Sequence, residues 1–299
     1  MDKKLKLHSP KTWLIYLLLV LLALVWIAPA FTLIATALKS KKDFYSGLSL
    51  FQLPPQIAWD NFSAACVSEE ACRRMKCPHR YHYYDHGGHM FFYMKNDLVI
   101  CLIKVPLGIL LEAMAAFAIT RLRVRNRTSV FIFFLIGMML PMQVALIPIS
   151  IVFGKLGLFN TYIGLGVVYI GFGISFGILV LRGFMSGIPH ELDEAAYIDG
   201  CNKVQLFTRV ILPLSKPAIA TLFISDFLAT WNEYLLSSII ITKDEMKTVP
   251  TGIMSFVGQH GTDYGGLCAG VIISIIPVMI VYFMFQKYFV AGMAGAIKQ

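Results

Sequence analysis

Four ionisable residues lie within long apolar stretches of the sequence, namely Lys104, Glu112, Asp226 and Glu233. Charged side chains in such surroundings are energetically costly and usually face the interior of a helix bundle or a cavity. Asp226 and Glu233 are seven positions apart, so in a continuous helix they project from nearly the same face. These acids therefore either line a polar pathway or pair with Lys104 or Glu112 to stabilise the bundle.

Trp231 and Asn232 stand directly before Glu233 and extend this polar group. An aromatic ring can stack on the face of a sugar, and an amide can bind its hydroxyl groups. The group therefore suits the passage of a sugar, and the candidate pathway residues are Trp231, Asn232, Glu233 and Asp226. Structural ion pairing stays open as the alternative.

Residues 66–89 form a second unusual group, which is polar, aromatic and rich in Cys and His. Its members are Cys66, Cys72, Cys77, His79, His82, His86 and His89. Such a density could bind zinc, but the spacing matches no standard zinc-binding arrangement. A disulfide outside the cell or a locally divergent stretch are the alternatives. We predict no metal site here and assign no function to this insert.

Motifs for nucleotide or metallopeptidase chemistry are missing from the sequence. It contains neither a G-x-x-x-x-G-K-[ST] loop nor an H-E-x-x-H pair. We therefore expect no catalytic residues in this chain and do not predict an enzyme. If ATP drives a process here, a separate subunit has to bind and hydrolyse it.

Composition indicates a protein that faces lipid. Of the 299 residues, 57% are hydrophobic and 14% are charged, and the mean hydropathy is +0.69. A soluble domain carries roughly 25% charged residues. The composition therefore excludes a water-soluble globular enzyme and predicts a polytopic protein of the lipid bilayer. The net charge of +9 does not indicate nucleic acid, because the basic residues lie at the ends of apolar runs.

Six stretches are long and apolar enough to cross a bilayer as helices. They lie at 13–38, 97–120, 129–153, 162–182, 217–241 and 267–289. The basic loops that follow the second and fourth spans predict a cytoplasmic side, and an even number of spans puts both termini there. Within the fourth span, Gly173 and Gly177 share one helix face, which predicts close helix packing.

This topology divides the chain into successive parts. They are a cytoplasmic N-terminus (1–12), a first transmembrane helix (13–38), an extracytoplasmic loop with the divergent insert (39–96), a five-helix core (97–289) with a cytoplasmic loop at 183–216, and a cytoplasmic tail (290–299).

The loop between the fourth and fifth spans contains an amphipathic segment, Ile188 to Gly200. Pro189 suits the start of a helix, acidic residues follow in its first turns, and Gly200 can adopt the left-handed conformation that ends one. A second short helix is expected from Lys203 to Ile211, ended by Pro213. Two such helices suit a groove on a partner protein, and the alternative is a solvated interfacial helix.

The sequence of this loop resembles the EAA signature of bacterial ABC-importer permeases. It has Glu194-Ala195-Ala196, three further residues, Gly200, nine further residues and Val210-Ile211-Leu212-Pro213, with Val210 where the family has Ile. Other segments look like those of carbohydrate-uptake importers, namely Trp231-Asn232-Glu233, Gly258 to Asp263 and Gln286 to Val290. The resemblance covers residues 97–299 and the first span, and it is to the smaller permease subunit of maltose-type systems in particular.

This resemblance implies an all-α polytopic membrane protein with six transmembrane helices, the type I ABC importer permease fold, in the bacterial inner or plasma membrane. In the family the EAA loop forms a coupling helix that docks in a cleft of a cytoplasmic ATPase dimer. The implied coupling residues are Glu194, Ala195, Ala196, Asp199, Gly200, Leu212 and Pro213. The resemblance also implies a contact of the tail Gly292 to Gln299 with the ATPase, and the alternative is a frayed terminus.

The resemblance also implies partners and cofactors. A second homologous permease, an extracytoplasmic solute-binding protein and a sugar substrate are expected, while ATP and Mg belong to the ATPase and no cofactor to this chain. Loop 243–266 is expected to meet the binding protein, with Gln259, His260, Gly261 and Asp263 as contacts.

Two other classes of protein compete with this interpretation. A stand-alone proton- or ion-coupled carrier would use Asp226, Glu233 and Lys104 as relay groups, but it leaves the EAA spelling unexplained. A membrane-embedded enzyme would need a nucleophile–base pair or a metal site within a span.

Overall fold

The computed structural model describes residues 10–66, 90–258 and 261–296, and this part of the chain is almost entirely helical. The expected all-α class is confirmed. The helices are α1 (Pro10–Leu38), α2 (Lys41–Tyr45), α3 (Asp60–Cys66), α4 (Met90–Arg121), α5 (Arg127–Met138), α6 (Met142–Leu156), α7 (Tyr162–Ser186), α8 (Glu191–Ile198), α9 (Lys203–Leu214, π-helical over Leu206–Ile211), α10 (Lys216–Trp231), α11 (Leu235–Ile240), α12 (Val249–Ile253) and α13 (Tyr264–Ala296).

Within the described ranges, the strands form a small hairpin. It pairs β1 (Val257–Gly258) with β2 (Gly261–Thr262) in antiparallel register, Val257 opposite Thr262 and Gly258 opposite Gly261. With two residues in each strand, the hairpin shapes a loop and does not form a sheet.

By length and composition, four described helices can cross a membrane: Thr12–Leu38, Met90–Arg121, Tyr162–Ser186 and Tyr264–Gln286. Two bent pairs raise the number to six if each counts as one span, Arg127–Met138 with Met142–Leu156 and Lys203–Leu214 with Lys216–Trp231. The chain therefore has the expected multi-pass character, but two of the predicted spans are not straight.

The third predicted span, 129–153, contains a sharp break. Helices α5 and α6 meet at a bend of 93°, and Pro141 is the N-cap residue of α6. Proline lacks an N–H donor and disfavours helical geometry at the residue before it, here Leu140. The break therefore has a local cause in the sequence.

The fifth predicted span, 217–241, is also interrupted. Helix α10 ends at Trp231, and α11 begins only at Leu235. At its other end α10 is preceded by α9 across a bend of 74°. Ser215 lies between the two helices and Pro217 is at the start of α10, where a missing N–H costs nothing. Pro213 was expected to stop α9 but lies inside its last turn.

Within the described residues, one compact unit comprises residues 10–66 and Met90 together with residues 253–258 and 261–273. Within it, Asn61 on α3 donates its amide to the backbone oxygens of Ala37 (2.7 Å) and Lys39 (2.8 Å). These carbonyls belong to the end of α1, where a helix leaves such groups without internal partners. The apolar side chains of α1 from Trp13 to Ile27 are exposed, as a lipid-facing helix requires.

Within the described residues, the second unit comprises residues 91–252 and 274–296. Its described core includes two apolar clusters. One joins α4, α6, α7 and α11 through residues that include Ile100, Phe153, Leu165, Tyr169 and Leu236. The other joins α4, α5 and α7 through Ile119, Phe131 and Ile178. These clusters fix the helices that carry the predicted functional residues.

Candidate functional site

The predicted coupling segment forms a short helix, α8, which begins at Glu191, two residues after the start expected at Pro189. Its first turn carries Glu191, Asp193 and Glu194, where carboxylates complement the positive end of the helix dipole. Asp199 follows the last helical residue, and Gly200 has a φ of +78°, the left-handed conformation expected from the sequence.

The exposed side of α8 carries most of the predicted coupling residues. Glu194, Ala195, Asp199 and Gly200 are exposed, whereas Ala196 is buried and its carbonyl accepts a hydrogen bond from Cys201 N (2.9 Å). The apolar Ile198 is 86% exposed. The outer face therefore combines small residues, a carboxylate and an apolar side chain.

The inner side of α8 is held by Arg121, the last residue of α4. Arg121 donates to Asp193 Oδ2 (3.0 Å) and to the backbone oxygens of Met185 (2.9 Å) and Ile188 (2.6 Å). The same guanidinium lies 2.6 Å from His190 Nδ1. The position of α8 is thus set from the ends of two long helices.

Helix α9 begins with a capping box in which Asn202 Oδ1 accepts from Gln205 N (2.9 Å) and Gln205 Oε1 from Asn202 N (2.8 Å). Its buried side includes Phe207, whose ring lies 5.1 Å from that of Phe117 on α4. Of the predicted coupling residues at its end, Leu212 is half-buried and Pro213 is exposed.

The intramembrane charges meet where α4, α7 and α10 pack together. Lys104 Nζ lies 2.7 Å from Asp226 Oδ2, and both side chains are buried. Glu112 is 0% exposed, and within the described residues neither of its carboxylate oxygens has a hydrogen-bond partner. Asp226 therefore forms a structural ion pair with Lys104, which is the alternative to a role in the pathway.

Gly173 and Gly177 on α7 make room for these charged side chains. A Cβ at Gly173 would lie 3.3 Å from Lys104 Nζ, and a Cβ at Gly177 would collide with the Glu112 carboxyl group. Helices α4 and α7 thus approach closely at these glycines, as their spacing predicted. The space that the glycines leave is occupied by polar side chains of α4.

The same segment contains the pattern G-x-S-x-G around Ser175. In hydrolases this pattern needs a strand-to-helix turn to expose the serine. Here Gly173 to Gly177 lies inside helix α7, and Ser175 is buried. It therefore does not form a nucleophile site.

Glu233 does not share a helical face with Asp226, because α10 ends at Trp231. Its carboxylate instead caps α11, where it accepts from Leu236 N (2.8 Å) and Ser237 N (3.0 Å). Tyr169 Oη also donates to it (2.7 Å). The prediction that Asp226 and Glu233 share a helix face is therefore wrong, because the fifth predicted span is interrupted between these two residues.

The other two pathway candidates differ in accessibility. Trp231 is buried and stacks on Phe227 with 5.5 Å between ring centroids. Asn232 is exposed and donates to Leu228 O (2.8 Å) within the same chain segment. Of the four candidates, Asn232 is thus the most accessible.

The loop after α11 is anchored to α4. Asn96 Nδ2 donates to the backbone oxygens of Glu245 (2.9 Å) and Lys247 (3.0 Å), and Asp97 Oδ2 accepts from Val249 N (2.8 Å). These contacts could not be predicted from the sequence, because Asn96 and Asp97 are about 150 residues away from their partners in the chain.

The predicted binding-protein contacts fall at the hairpin. Gln259 and His260 lie outside the described residues, and Gly261 is in β2. Asp263 is buried, and its Oδ1 accepts from Gly266 N (3.2 Å) at the start of α13. Asp263 therefore shapes the loop and presents little surface itself.

Most of the Cys- and His-rich insert, residues 67–89, also lies outside the described part. Cys66, at the end of α3, is a free thiol, and partial burial raises its pKa above the ordinary value. In the ranges that are described, no three His, Cys, Asp or Glu side chains converge to hold a metal ion.

Comparison with known families decides the class. Residues 104–295 match the model of the family described as binding-protein-dependent transport system inner membrane component. The chain belongs to this family. As a member, the permease is a transport component and not itself an enzyme.

Individual relatives of this permease extend the likeness to the whole chain. It is 32% identical over 295 residues, 98% of this chain and 99% of the relative, to the probable starch degradation products transport system permease protein AmyC of Thermoanaerobacterium thermosulfurigenes. It is 36% identical over 213 residues, 70% of this chain and 76% of the relative, to the trehalose/maltose transport system permease protein MalG of Thermococcus litoralis.

A solved structure supports the fold. The permease matches a chain in the crystal structure of a bacterial ABC transporter involved in the import of the acidic polysaccharide alginate, with a TM-score of 0.74 and 22% identity. The match covers 94% of this chain and 99% of the other. The expected type I importer permease fold is thereby confirmed.

Proposed function

We propose that this chain is the membrane-spanning subunit of a binding-protein-dependent importer that takes up a sugar or oligosaccharide, powered by ATP hydrolysis in separate subunits. The relatives named for starch degradation products and for trehalose and maltose support a carbohydrate substrate. ATP and Mg would be bound by a partner ATPase dimer, and a second homologous permease would complete the membrane part.

The observation that carries this proposal is the exposed outer face of α8. Glu194 and Ala195 lie in the open, and the strongly exposed Ile198 gives the same helix an apolar tip. A small, partly apolar helix that protrudes between two membrane helices fits a cleft on a partner protein. The proposed coupling residues are thus Glu194, Ala195, Asp199 and Gly200, with Ala196 packing the helix inward, and Leu212 and Pro213 close to the bend at Ser215.

In this proposal, the basic residues near the ends of the spans determine which side of the membrane each loop faces. Arg121, Arg123, Arg125 and Arg127 surround the end of α4 and the start of α5, and Arg121 contacts α8 through Asp193. Basic residues near the ends of spans favour the cytoplasmic side. We therefore assign α8 and both termini to the cytoplasm of a bacterial cell, with the protein in its inner or plasma membrane.

On the opposite side, an extracytoplasmic binding protein would deliver the solute to the loop after α11. Gln259, His260 and Gly261 remain the proposed contacts, with Asp263 holding the turn from within. For the pathway itself we favour Asn232 as a solute-contacting residue, because its side chain is exposed whereas Asp226 and Trp231 are buried.

The decisive experiment is reconstitution. The permease is purified in detergent and its co-purification with an ATPase and a second permease is measured, followed by uptake of labelled maltose-type oligosaccharide into proteoliposomes that contain ATP. Uptake should require ATP and the binding protein. Glu194→Lys should retain ATP hydrolysis but lose uptake, because it reverses the charge on the proposed docking face.

Exposed Arg123 supplies the matched control, since Arg123→Gln changes a charge near the same membrane surface but outside α8. Its uptake should equal that of the wild type. Uptake by the isolated chain under an ion gradient, without ATP, would contradict the proposal and support a stand-alone carrier.

A further inference from the structure

The guanidinium group of Arg121 occupies an unusual position for the last residue of a long helix. Its side chain is only 1% exposed, although α4 ends here. A buried arginine is costly unless its donors are used; both terminal nitrogens are engaged, whereas Nε has no hydrogen-bond partner among the described residues. A merely solvated basic residue at the end of a span does not need such an arrangement.

One nitrogen of this group serves the end of α7. Arg121 Nη2 donates to Met185 O at 2.9 Å and to Ile188 O at 2.6 Å. Met185 is in the last turn of α7, where its carbonyl also accepts from the backbone of Gly187 and Ile188, and Ile188 lies two residues beyond the helix. Arg121 therefore joins the end of α4 to the end of α7.

The other nitrogen serves the start of α8. Arg121 Nη1 lies 3.0 Å from Asp193 Oδ2 and 2.6 Å from His190 Nδ1, and Asp193 is itself buried on the inner side of α8. One planar side chain thus connects the ends of α4 and α7 with the start of α8.

Arginine suits this place better than lysine. Its five donors lie in a fixed plane and can address several acceptors at once, whereas the lysine ammonium group is a point charge on a flexible stem. A lysine at position 121 would retain the charge but could not hold Asp193 and both carbonyl groups in the same geometry.

We infer that Arg121 is a positioning residue that locks α8 to α4 and α7 through Asp193, so that a displacement of α8 moves both membrane helices together. The inference rests on the proposed function, in which the partner ATPase displaces α8. It adds a specific link between the docking helix and the membrane helices.

The test uses the assembled importer in proteoliposomes and measures the number of solute molecules taken up per ATP hydrolysed. Arg121→Lys and Asp193→Ala should each lower this ratio at least threefold, while the amount of assembled complex and the basal ATP hydrolysis stay near the wild type. The double variant should be no worse than the poorer single variant, because both changes break the same link. Arg123→Gln, two residues further on and exposed, should leave the ratio unchanged.

Two results would overturn the inference. Either the ratio stays within experimental error of the wild type in both variants, or it is unchanged per assembled complex while the amount of complex falls, which indicates a purely structural role. Glu194→Lys separates this outcome from failure of the proposed function. If Glu194→Lys uncouples and the Arg121 and Asp193 variants do not, only the positioning role is wrong; if none of them uncouples, coupling through α8 fails as a whole.

Discussion

Lys104 of α4 and Asp226 of α10 form an ion pair of 2.7 Å inside the helical core, and both side chains are almost completely buried. Each charge is acceptable there because the other is present. The pair ties the second and fifth predicted spans together at a point where neither helix could carry its charge alone.

Lys104→Met is expected to lower the free energy of unfolding by about 3–5 kcal/mol, because it leaves the Asp226 carboxylate buried without its partner. Thermal unfolding of the purified permease in detergent measures the loss. The double variant Lys104→Met/Asp226→Leu should recover most of it, because both charges are gone. Equal stability of the single and double variants would contradict this role of the pair.

Gly177→Ala is expected to destabilise the permease by roughly 1–3 kcal/mol, because the added methyl group would collide with the Glu112 carboxyl group. Gly171→Ala is the matched control on the same helix, where a Cβ meets nothing within 4 Å. The control should be neutral or slightly stabilising, since alanine is the better helix former. Adding Glu112→Ala to Gly177→Ala should restore stability, and a failure to do so would place the strain elsewhere.

Substitutions at Gly200 should rank by their tolerance of a positive φ. The residue has φ +78° and open space around it, so backbone strain and not crowding is the cost of a side chain. That cost is about 1–2 kcal/mol for an ordinary residue, and asparagine adopts this conformation more readily than valine. Uptake per ATP in proteoliposomes should therefore fall in the order Gly, Asn, Ala, Val. A valine variant as active as the asparagine variant would show that the turn does not matter for coupling.

Tyr169→Phe tests whether Glu233 stabilises the fold or contacts the transported solute. Removal of the hydroxyl group that donates to Glu233 should lower stability by about 1 kcal/mol and leave the KM for the solute unchanged. Asn232→Ala should do the opposite, with unchanged thermal stability and a raised KM, because its side chain is exposed. Uptake kinetics together with thermal unfolding separate the two effects, and a raised KM in Tyr169→Phe would return Glu233 to the pathway.

Local sequence signals predicted the features that depend on local physics. Apolar length identified most of the membrane helices, and Gly200 ends α8 in the expected conformation. The bend before α6 could also have been predicted, because Pro141 lies at it. The apolar stretch around Pro141 suggested one continuous span instead.

Features that depend on distant parts of the chain could not be predicted. Nothing near Arg121 in the sequence indicates that it binds α8, about 70 residues later. The end of α10 at Trp231 was hidden as well, because neither proline nor glycine lies between Trp231 and Leu235, and the capping role of Glu233 becomes visible only when the break is known.

Helix α4 is bound at both of its ends. Asn96 and Asp97 hold the loop that contains Val249, whereas Arg121 holds α8, and the 24 residues from Asp97 to Arg121 separate these anchors by about 36 Å at the helical rise of about 1.5 Å per residue. Helix α4 is thus anchored to other parts of the chain near both of its ends. When α8 is displaced, we expect the displacement to reach the loop that contains Val249 through the hydrogen-bonded backbone of α4, without a relay of side chains.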